Sequence, residues 1–262
     1  PLTMTAVLSS LYNFLFTHIH KDFSGAVSSE ASQEYLIAPS IPPTFLFTLA
    51  LVSSIPYFVL QYFIIPKCIS EPFSSSYRHI KKNAEDPNNS PLERKKAHRT
   101  MIVWNNFILS SIHAVYAFAI AFYSLFLSGD FVDQSPVTTS MLATKLVMFS
   151  MGYFIADFIV AYHAGVLEAG AIIHHLVVLT SELFLMVYWR FHIVGLASML
   201  TELTTPLINN RWLMDKSNMK DSMLYVVNGL AIWFGWVVCR LSFTFWLGYF
   251  FWANRGEMFL NS

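Results

Sequence analysis

The sequence predicts an all-α polytopic membrane protein, a transmembrane helical bundle of about six spans. Hydrophobic residues make up 55% of the 262 residues and charged residues only 12%, which is too apolar for an ordinary soluble domain. The mean hydropathy is +0.49. Several apolar stretches also approach or exceed the roughly 20 residues that a helix needs to cross a bilayer.

The chain before the first clear span is expected to lie outside the bundle. Residues 1–43 form an N-terminal segment, in which residues 2–19 are apolar but interrupted by serine, asparagine and threonine. This pattern is typical of an amphipathic helix at the membrane interface. The first span covers residues 44–66, where Pro56 is tolerated as a kink.

The rest of the chain alternates between spans and short connections. Residues 67–100 are hydrophilic and carry a turn-forming run of Asp, Pro, Asn and Ser at 86–91. The remaining spans and the C-terminal tail are predicted at residues 101–127, 142–162, 171–189, 193–208, 223–252 and 253–262 respectively. We find neither an internal repeat nor a second domain in the sequence.

The distribution of positive charge predicts the orientation in the membrane. Eleven Lys and Arg residues lie in the loops after the first, third and fifth spans, and three lie in the other loops and the termini. Because cytosolic loops carry the excess of Lys and Arg, residues 67–100 are predicted to be a basic cytosolic loop. The sequon at Asn88 then faces the cytosol and should carry no glycan. The zero net charge argues against nucleic acid as a partner, and we expect the lipid bilayer instead.

Ionisable residues are concentrated in residues 153–212, within otherwise apolar spans. A charged side chain at the bilayer centre costs about 2.5–3.5 kcal/mol on insertion scales, so such residues usually face a bundle interior or a cavity. At a helical rise of about 1.5 Å per residue, Asp157 and the pair His174–His175 lie at one depth, just inside the cytosolic leaflet. We predict a polar pocket there, open to the cytosol and bounded by spans three, four and five.

The candidate catalytic residues are His174, His175 and Asp157. Imidazole can hold or pass a proton near neutral pH, and a carboxylate can orient an imidazole. Adjacent histidines point about 100° apart on a helix, so only one of the pair is expected to face the pocket. Structural roles at helix interfaces remain the alternative. We expect no metal, because sequential histidines cannot place both rings on one ion and the sequence lacks HExxH.

The candidate ligand-binding residues lie deeper in the bilayer or at the end of the fifth span. Pro206 cannot donate to the carbonyl of Glu202, which predicts a kink or local unwinding of the helix there. Glu202 either binds a lipid headgroup or satisfies this opened backbone. Arg240 is expected to be a snorkelling or ion-pair residue. The ligand-binding candidates are Glu182, Glu202, Thr205, Asn209 and Arg211.

Three motifs resemble those of the TLC-domain family. They are Tyr153-Phe-Ile-Ala-Asp157, the spaced histidines His163 and His174-His175, and Leu203-Thr-Thr-Pro-Leu-Ile-Asn-Asn-Arg-Trp212. The resemblance covers about residues 93–252, which we assign to a TLC-like transmembrane domain. It implies a location in the endoplasmic reticulum or another endomembrane.

The resemblance also implies two functions. Ceramide synthases of this family acylate a sphingoid amine from acyl-CoA and use a histidine pair, so His174 and His175 would be acyl-transfer residues. Those enzymes follow the pair with His-Asp-x-Ser-Asp, whereas residues 197–206 here read ASMLTELTTP. This part is more similar to the small TLC-domain-containing proteins of the transmembrane-protein-56 type, which are linked to membrane lipid homeostasis.

We therefore expect a protein of membrane lipid homeostasis that binds or handles a lipid in a cytosol-facing intramembrane pocket. The alternative is an acyl-CoA-dependent N-acyltransferase of the ceramide-synthase type, with acyl-CoA as co-substrate and no resident cofactor. Membrane lipids are the expected partners in both cases.

Overall fold

The structure, a computed structural model, describes residues 43–260, and every regular element among them is helical. The all-α prediction is confirmed, while the interfacial helix expected at residues 2–19 lies outside the described residues. The elements in order are α1 (Pro43–Val59), two π-helical segments (Leu60–Ile64 and Pro66–Ser70), α2 (Glu71–Phe73), α3 (Ser75–Glu85), α4 (Pro91–Phe126), α5 (Met141–Ala164), α6 (Ala169–Tyr188), α7 (His192–Leu200), a 3₁₀ segment (Thr201–Thr204), α8 (Thr205–Lys216), α9 (Met223–Gly235), a π-helical segment (Trp236–Leu241), α10 (Ser242–Ala253) and α11 (Arg255–Leu260).

Five helical units of the described chain are long and apolar enough to cross a membrane. They are Thr48–Phe73, Pro91–Phe126, Met141–Ala164, Ala169–Tyr188 and Met223–Ala253. Each contains one of the predicted spans or overlaps most of it. The first unit runs on beyond Pro66, because the π-helical segments keep the chain helical as far as α2.

The predicted span at residues 193–208 is a broken helix made of α7, the 3₁₀ segment and α8. Leu200 and Thr205 both keep right-handed helical backbone angles, so the chain continues through the break. The 3₁₀ segment contains Glu202 and ends just before Thr205-Pro206, which confirms the predicted unwinding. Its threonines and Glu202 make this segment more polar than the five long units.

The broken helix still crosses from one end of the bundle to the other. Before it, the N–H of Phe191 donates to the carbonyl of Pro136, in the loop preceding α5, at 2.7 Å. In its last part, α8, Asn209 Nδ2 donates to the carbonyl of Phe107 on α4 at 3.1 Å. Within residues 43–260 the chain therefore crosses the bundle six times, although one crossing is not a continuous apolar helix.

Contacts at the two ends agree with this alternation. At one end the guanidinium of Arg99, on α4, donates to the carbonyls of Ala164 and Gly165, where α5 finishes. At the other end Ser135 Oγ donates to Glu257, beyond α10, at 3.0 Å. The loop between α4 and α5 and the segment after α10 thus share one end of the bundle.

The segment predicted as a basic loop, residues 67–100, is largely helical. Ser74 caps α3 through a bond from the Tyr77 N–H, and Ser90 forms a capping box with Glu93 at the start of α4. Tyr77 is buried, and its hydroxyl accepts a hydrogen bond from Asn105 Nδ2 on α4 at 3.1 Å. The sequence did not predict α3, because only one of its faces packs on α4 and its many charged residues are typical of a loop.

Small residues let α1 approach α5 closely. A Cβ on Gly152 would lie 2.5 Å from the carbonyl carbon of Ser53, so only glycine fits there. Ser53 Oγ donates to the carbonyl of Met148 at 3.1 Å, which adds a polar tie between the helices. Beside this contact, the rings of His113 and Tyr153 stack at 3.9 Å in the buried core. This packing supports α5, which carries Asp157.

Candidate functional site

A chain of hydrogen bonds joins α4, α5 and α6 and includes two of the predicted catalytic residues, Asp157 and His175. Asn106 Nδ2 donates to Asp157 Oδ1 at 2.6 Å, and His175 Nε2 lies 2.6 Å from Asp157 Oδ2. His175 Nδ1 lies 2.7 Å from the carbonyl of Ala171, one turn earlier on α6. The side chains of His175 and Asp157 are 8% and 14% exposed. Asp157 is therefore placed to orient His175.

The hydrogen-bond geometry also determines where His175 must carry a proton. A carbonyl can only accept, so the bond to Ala171 requires a proton on His175 Nδ1. The contact between His175 Nε2 and Asp157 then needs a second proton, held by either the imidazole or the carboxyl group. Both ring nitrogens of His175 are occupied, and the ring has no free nitrogen for a substrate.

His174, unlike His175, is exposed to a cavity. Its ring lies 5.7 Å from that of His175 at an interplanar angle of 84°, and it also meets the edge of Phe154. Its side chain is exposed and lines a cavity, whereas His175 is buried beside that cavity. Only one histidine of the pair faces the pocket, as the helical spacing predicts.

The cavity is a pocket of about 760 Å³ between α6, α7 and the α9–α10 unit. Its polar residues include His174, Glu202 and Arg240, and its apolar residues include Phe184 and Phe251. The sequence predicted spans three, four and five as its walls. Span six also lines the pocket, through Arg240, Phe243, Leu247 and Phe251, while α5 contributes only Ser150 and Phe154.

Glu182 is buried deep in this pocket, with only 5% of its surface exposed. Ser150 lies beside its carboxyl group. The carboxyl oxygen Oε2 has no hydrogen-bond partner among the described residues. Buried polar atoms are nearly always paired in native proteins, so this oxygen calls for a donor from a ligand or a water molecule.

Glu202 and Arg240 line the same pocket from the broken helix and from the π-helical segment. Glu202 Oε2 accepts a bond from the Thr205 hydroxyl at 2.7 Å. Arg240 Nε donates to Thr204 Oγ1 at 3.2 Å, and the guanidinium lies over the ring of Trp236 at 4.9 Å. The 3₁₀ and π-helical breaks therefore meet each other at the pocket wall.

The structure does not bring the other predicted ligand-binding residues into this pocket. Asn209 Nδ2 bonds the carbonyl of Phe107 and the hydroxyl of Ser111, both at 3.1 Å, and so ties α8 to α4. Arg211 donates to the carbonyl of Tyr225 at 3.1 Å and stacks on its ring at 3.9 Å. Thr205 reaches the pocket only through its bond to Glu202.

Sequence reasoning missed the placement of Arg240 and the contribution of Asn106. An arginine near the middle of a predicted 30-residue span was the available signal for Arg240. Asn106 gave no comparable signal, because a single asparagine in a span has many structural roles. No group of three or more His, Cys, Asp or Glu side chains in the described part of the chain is arranged to hold a metal ion.

The fold and the site define a class: a polytopic α-helical membrane protein whose helices surround a pocket lined by several polar side chains. The TLC domain family model matches residues 103–261. The chain therefore belongs to the TLC-domain family, as its motifs indicate.

Curated relatives of the same family are similar to this chain over part of their length. TLC domain-containing protein 4 A of Dictyostelium discoideum is 26% identical over 56% of this chain and 59% of its own. TLC domain-containing protein 1 of Homo sapiens is 26% identical over 56% and 61%, and protein 2 of Danio rerio 24% identical over 61% and 65%. The chain thus spans about three fifths of these relatives. No solved structure matches it significantly.

Proposed function

We propose that this protein acts in membrane lipid homeostasis by binding a lipid in the pocket between α6, α7 and α10. Family membership ties the chain to membrane lipids in general terms. The pocket supports the finer statement, since binding sites for small molecules are mostly apolar cavities of about 300–1,000 Å³ with a few placed polar groups.

The pocket has the polarity gradient of a single lipid chain. His174 and Leu185, which both line it, are eleven residues apart on α6, or about 16 Å along the helix. Phe184, Phe191 and Phe251 form an aromatic group in it, with neighbouring ring centres 6.1 and 6.0 Å apart, and His174, Glu182 and Glu202 supply polar groups. A lipid would place its polar group among these three residues and its chain along the aromatic side chains.

The observation that carries the proposal is the unpaired Oε2 of Glu182. Glu182 lines the cavity and is 95% buried, yet its Oε2 has no hydrogen-bond donor among the described residues. Leaving such a group unsatisfied costs about 1–3 kcal/mol. A hydroxyl or amine of a bound lipid would remove that cost, which gives the pocket a preference for lipids that carry a donor.

Lipid retention in purified protein tests this proposal. Wild type, Glu182→Leu and Ser198→Trp would be purified in mild detergent, and their bound lipids identified by native mass spectrometry. Ser198 lines the pocket, so tryptophan there fills it. We expect both variants to lose a lipid that wild type and the exposed control Glu257→Gln retain. Equal lipid content in all four proteins would refute the proposal.

An acyl-CoA-dependent N-acyltransferase is the second candidate, favoured by His174. Its imidazole faces the pocket, and the neighbouring His175 is held by Asp157 and Ala171. In this reaction the acyl group would pass from the CoA sulfur to an amine nitrogen, and free CoA would leave as its thiol. His174 would take the proton that the amine releases.

The acyltransferase candidate has a separate test. The purified chain would be incubated with long-chain acyl-CoA and a panel of lipid amines and alcohols, and acylated products measured by mass spectrometry. We expect His174→Ala to abolish product while the exposed control His98→Ala does not. A wild-type protein that forms no product but retains a lipid would refute the acyltransferase function and leave the lipid-binding function standing.

We propose that the protein lies in the endoplasmic reticulum or another endomembrane. Imaging of the tagged protein tests this location.

A further inference from the structure

We propose that Arg240 binds the acidic group, a carboxylate or a phosphate, of the lipid in this pocket. The inference rests on the proposed function and names the chemistry of its ligand. Arg240 belongs to the π-helical segment Trp236–Leu241 and lines the pocket. π-Helical insertions in α-helices occur frequently at functional sites.

The contacts of Arg240 hold its guanidinium in place and leave part of it open. Nε donates to Thr204 Oγ1 at 3.2 Å, and the hydroxyl of Thr204 in turn donates to the carbonyl of Thr201 at 3.0 Å. The guanidinium carbon lies 4.9 Å from the ring centre of Trp236. These contacts use one N–H and one face, so both terminal nitrogens remain for a ligand. Two parallel N–H groups match the two oxygens of a carboxylate or phosphate.

Arg240 has no carboxylate partner in the described part of the chain. Three ion pairs are found there, and none includes Arg240. An arginine within a membrane span normally pairs with an acid or faces a water-filled cavity, because an isolated charge is costly in the bilayer. A lipid acid would supply the missing negative charge.

The acidic residues of the pocket have other contacts. Glu202 accepts a hydrogen bond from the hydroxyl of Thr205 on its own helix, and Glu182 lies beside Ser150. Neither forms an ion pair with Arg240. Carboxyl oxygens accept hydrogen bonds, so these two residues favour an acidic ligand that also carries a hydrogen-bond donor. The pocket is therefore suited to a single-chain lipid with an acidic group for Arg240 and a hydroxyl for Glu182.

Binding of three oleoyl lipids to the purified full chain tests the inference. Oleate carries a carboxylate, oleoyl lysophosphatidic acid carries a phosphate and a hydroxyl, and monoolein is neutral. We expect Arg240→Gln to weaken binding of at least one acidic lipid tenfold or more, with less than a twofold change for monoolein. The comparison of oleate with lysophosphatidic acid identifies whether carboxylate or phosphate is preferred.

Two further variants separate recognition from folding. Arg240→Lys keeps the charge but loses the paired geometry, so it should recover part of the lost affinity. Arg255→Gln is the matched control, because Arg255 also lies over a tryptophan, Trp252, at 4.9 Å but does not line the pocket. We expect it to bind all three lipids like wild type.

The outcomes distinguish this inference from the proposed function. Equal losses for monoolein and the acidic lipids in Arg240→Gln, or no loss for either, would overturn the acidic subsite and leave the lipid pocket standing. If wild type binds none of the three lipids and copurifies with none, both proposals fail. If Arg240→Gln does not fold, the affinities of Arg240→Lys are the test. Unchanged affinities of that variant for both acidic lipids would refute recognition of the acidic group by two parallel N–H groups.

Discussion

Replacing Asp157 tests whether the hydrogen-bond chain between Asn106 and His175 holds the three helices together. In Asp157→Ala, the Asn106 amide and the His175 Nε2 both lose their partner, and little water reaches them because the Asp157 side chain is 14% exposed. An unsatisfied buried group costs about 1–3 kcal/mol, so two such groups predict a loss of about 2–6 kcal/mol in the free energy of unfolding.

Asp157→Asn separates hydrogen bonding from charge. Its amide oxygen can still accept from Asn106, and its amide nitrogen can donate to His175 Nε2 while His175 Nδ1 keeps its bond to Ala171. We therefore expect a cost under about 1 kcal/mol, since every bond of the chain is retained in neutral form. A cost equal to that of Asp157→Ala would show that the negative charge itself stabilises the site.

Unfolding in mixed detergent micelles with increasing sodium dodecyl sulfate provides the measurement, followed by tryptophan fluorescence and circular dichroism. Asp221→Ala is the matched control, because it also removes a carboxylate but from an exposed position between α8 and α9. An Asp157→Ala protein within about 0.5 kcal/mol of wild type, the range of ordinary surface substitutions, would refute the reasoning.

Three other predictions concern packing, helix ends and topology. Gly152→Ala should destabilise the protein by about 1–3 kcal/mol, because the new methyl group meets the backbone of α1, whereas Gly170→Ala should stabilise it by up to about 1 kcal/mol, since nothing lies within 4 Å of its Cβ. Arg99→Gln should speed hydrogen exchange in residues 162–168 about tenfold or more, as a hydrogen bond to a charged group contributes about 1.5–3 kcal/mol. Asn88, which faces the same end as the finish of α5, should carry no glycan in cells.

Each of these predictions has a control. For the glycines, equal unfolding free energies in both alanine variants would contradict the close approach of α1 to α5. Lys96→Gln removes an exposed charge near Arg99 and should leave the exchange rates unchanged. A sequon inserted into residues 128–140 should be glycosylated when Asn88 is not, and the reverse pattern would invert the proposed topology.

The sequence predicted which residues of the site lie at a common level along the helices, but not the contacts that they make. Helical spacing placed His174, His175 and Asp157 at one level, and the structure joins two of them directly. Spacing could not decide which histidine faces the pocket, because that depends on how α6 is rotated against α5. Nor could it place Arg240, which reaches the pocket only because the π-helical segment packs on Thr204.

The sequence alone determined the all-α membrane bundle, the alternation of its crossings and the unwinding before Pro206. These features follow from apolar length, from the positive charge of the loops and from the missing N–H of proline, all of which act locally along the chain. Tertiary structure decided the rest. It placed Asn209 and Arg211 in contacts between helices, exposed His174 to the pocket while burying His175, and brought the last span to the pocket. Sequence could not predict these contacts, because packing between distant segments decides which side chains meet.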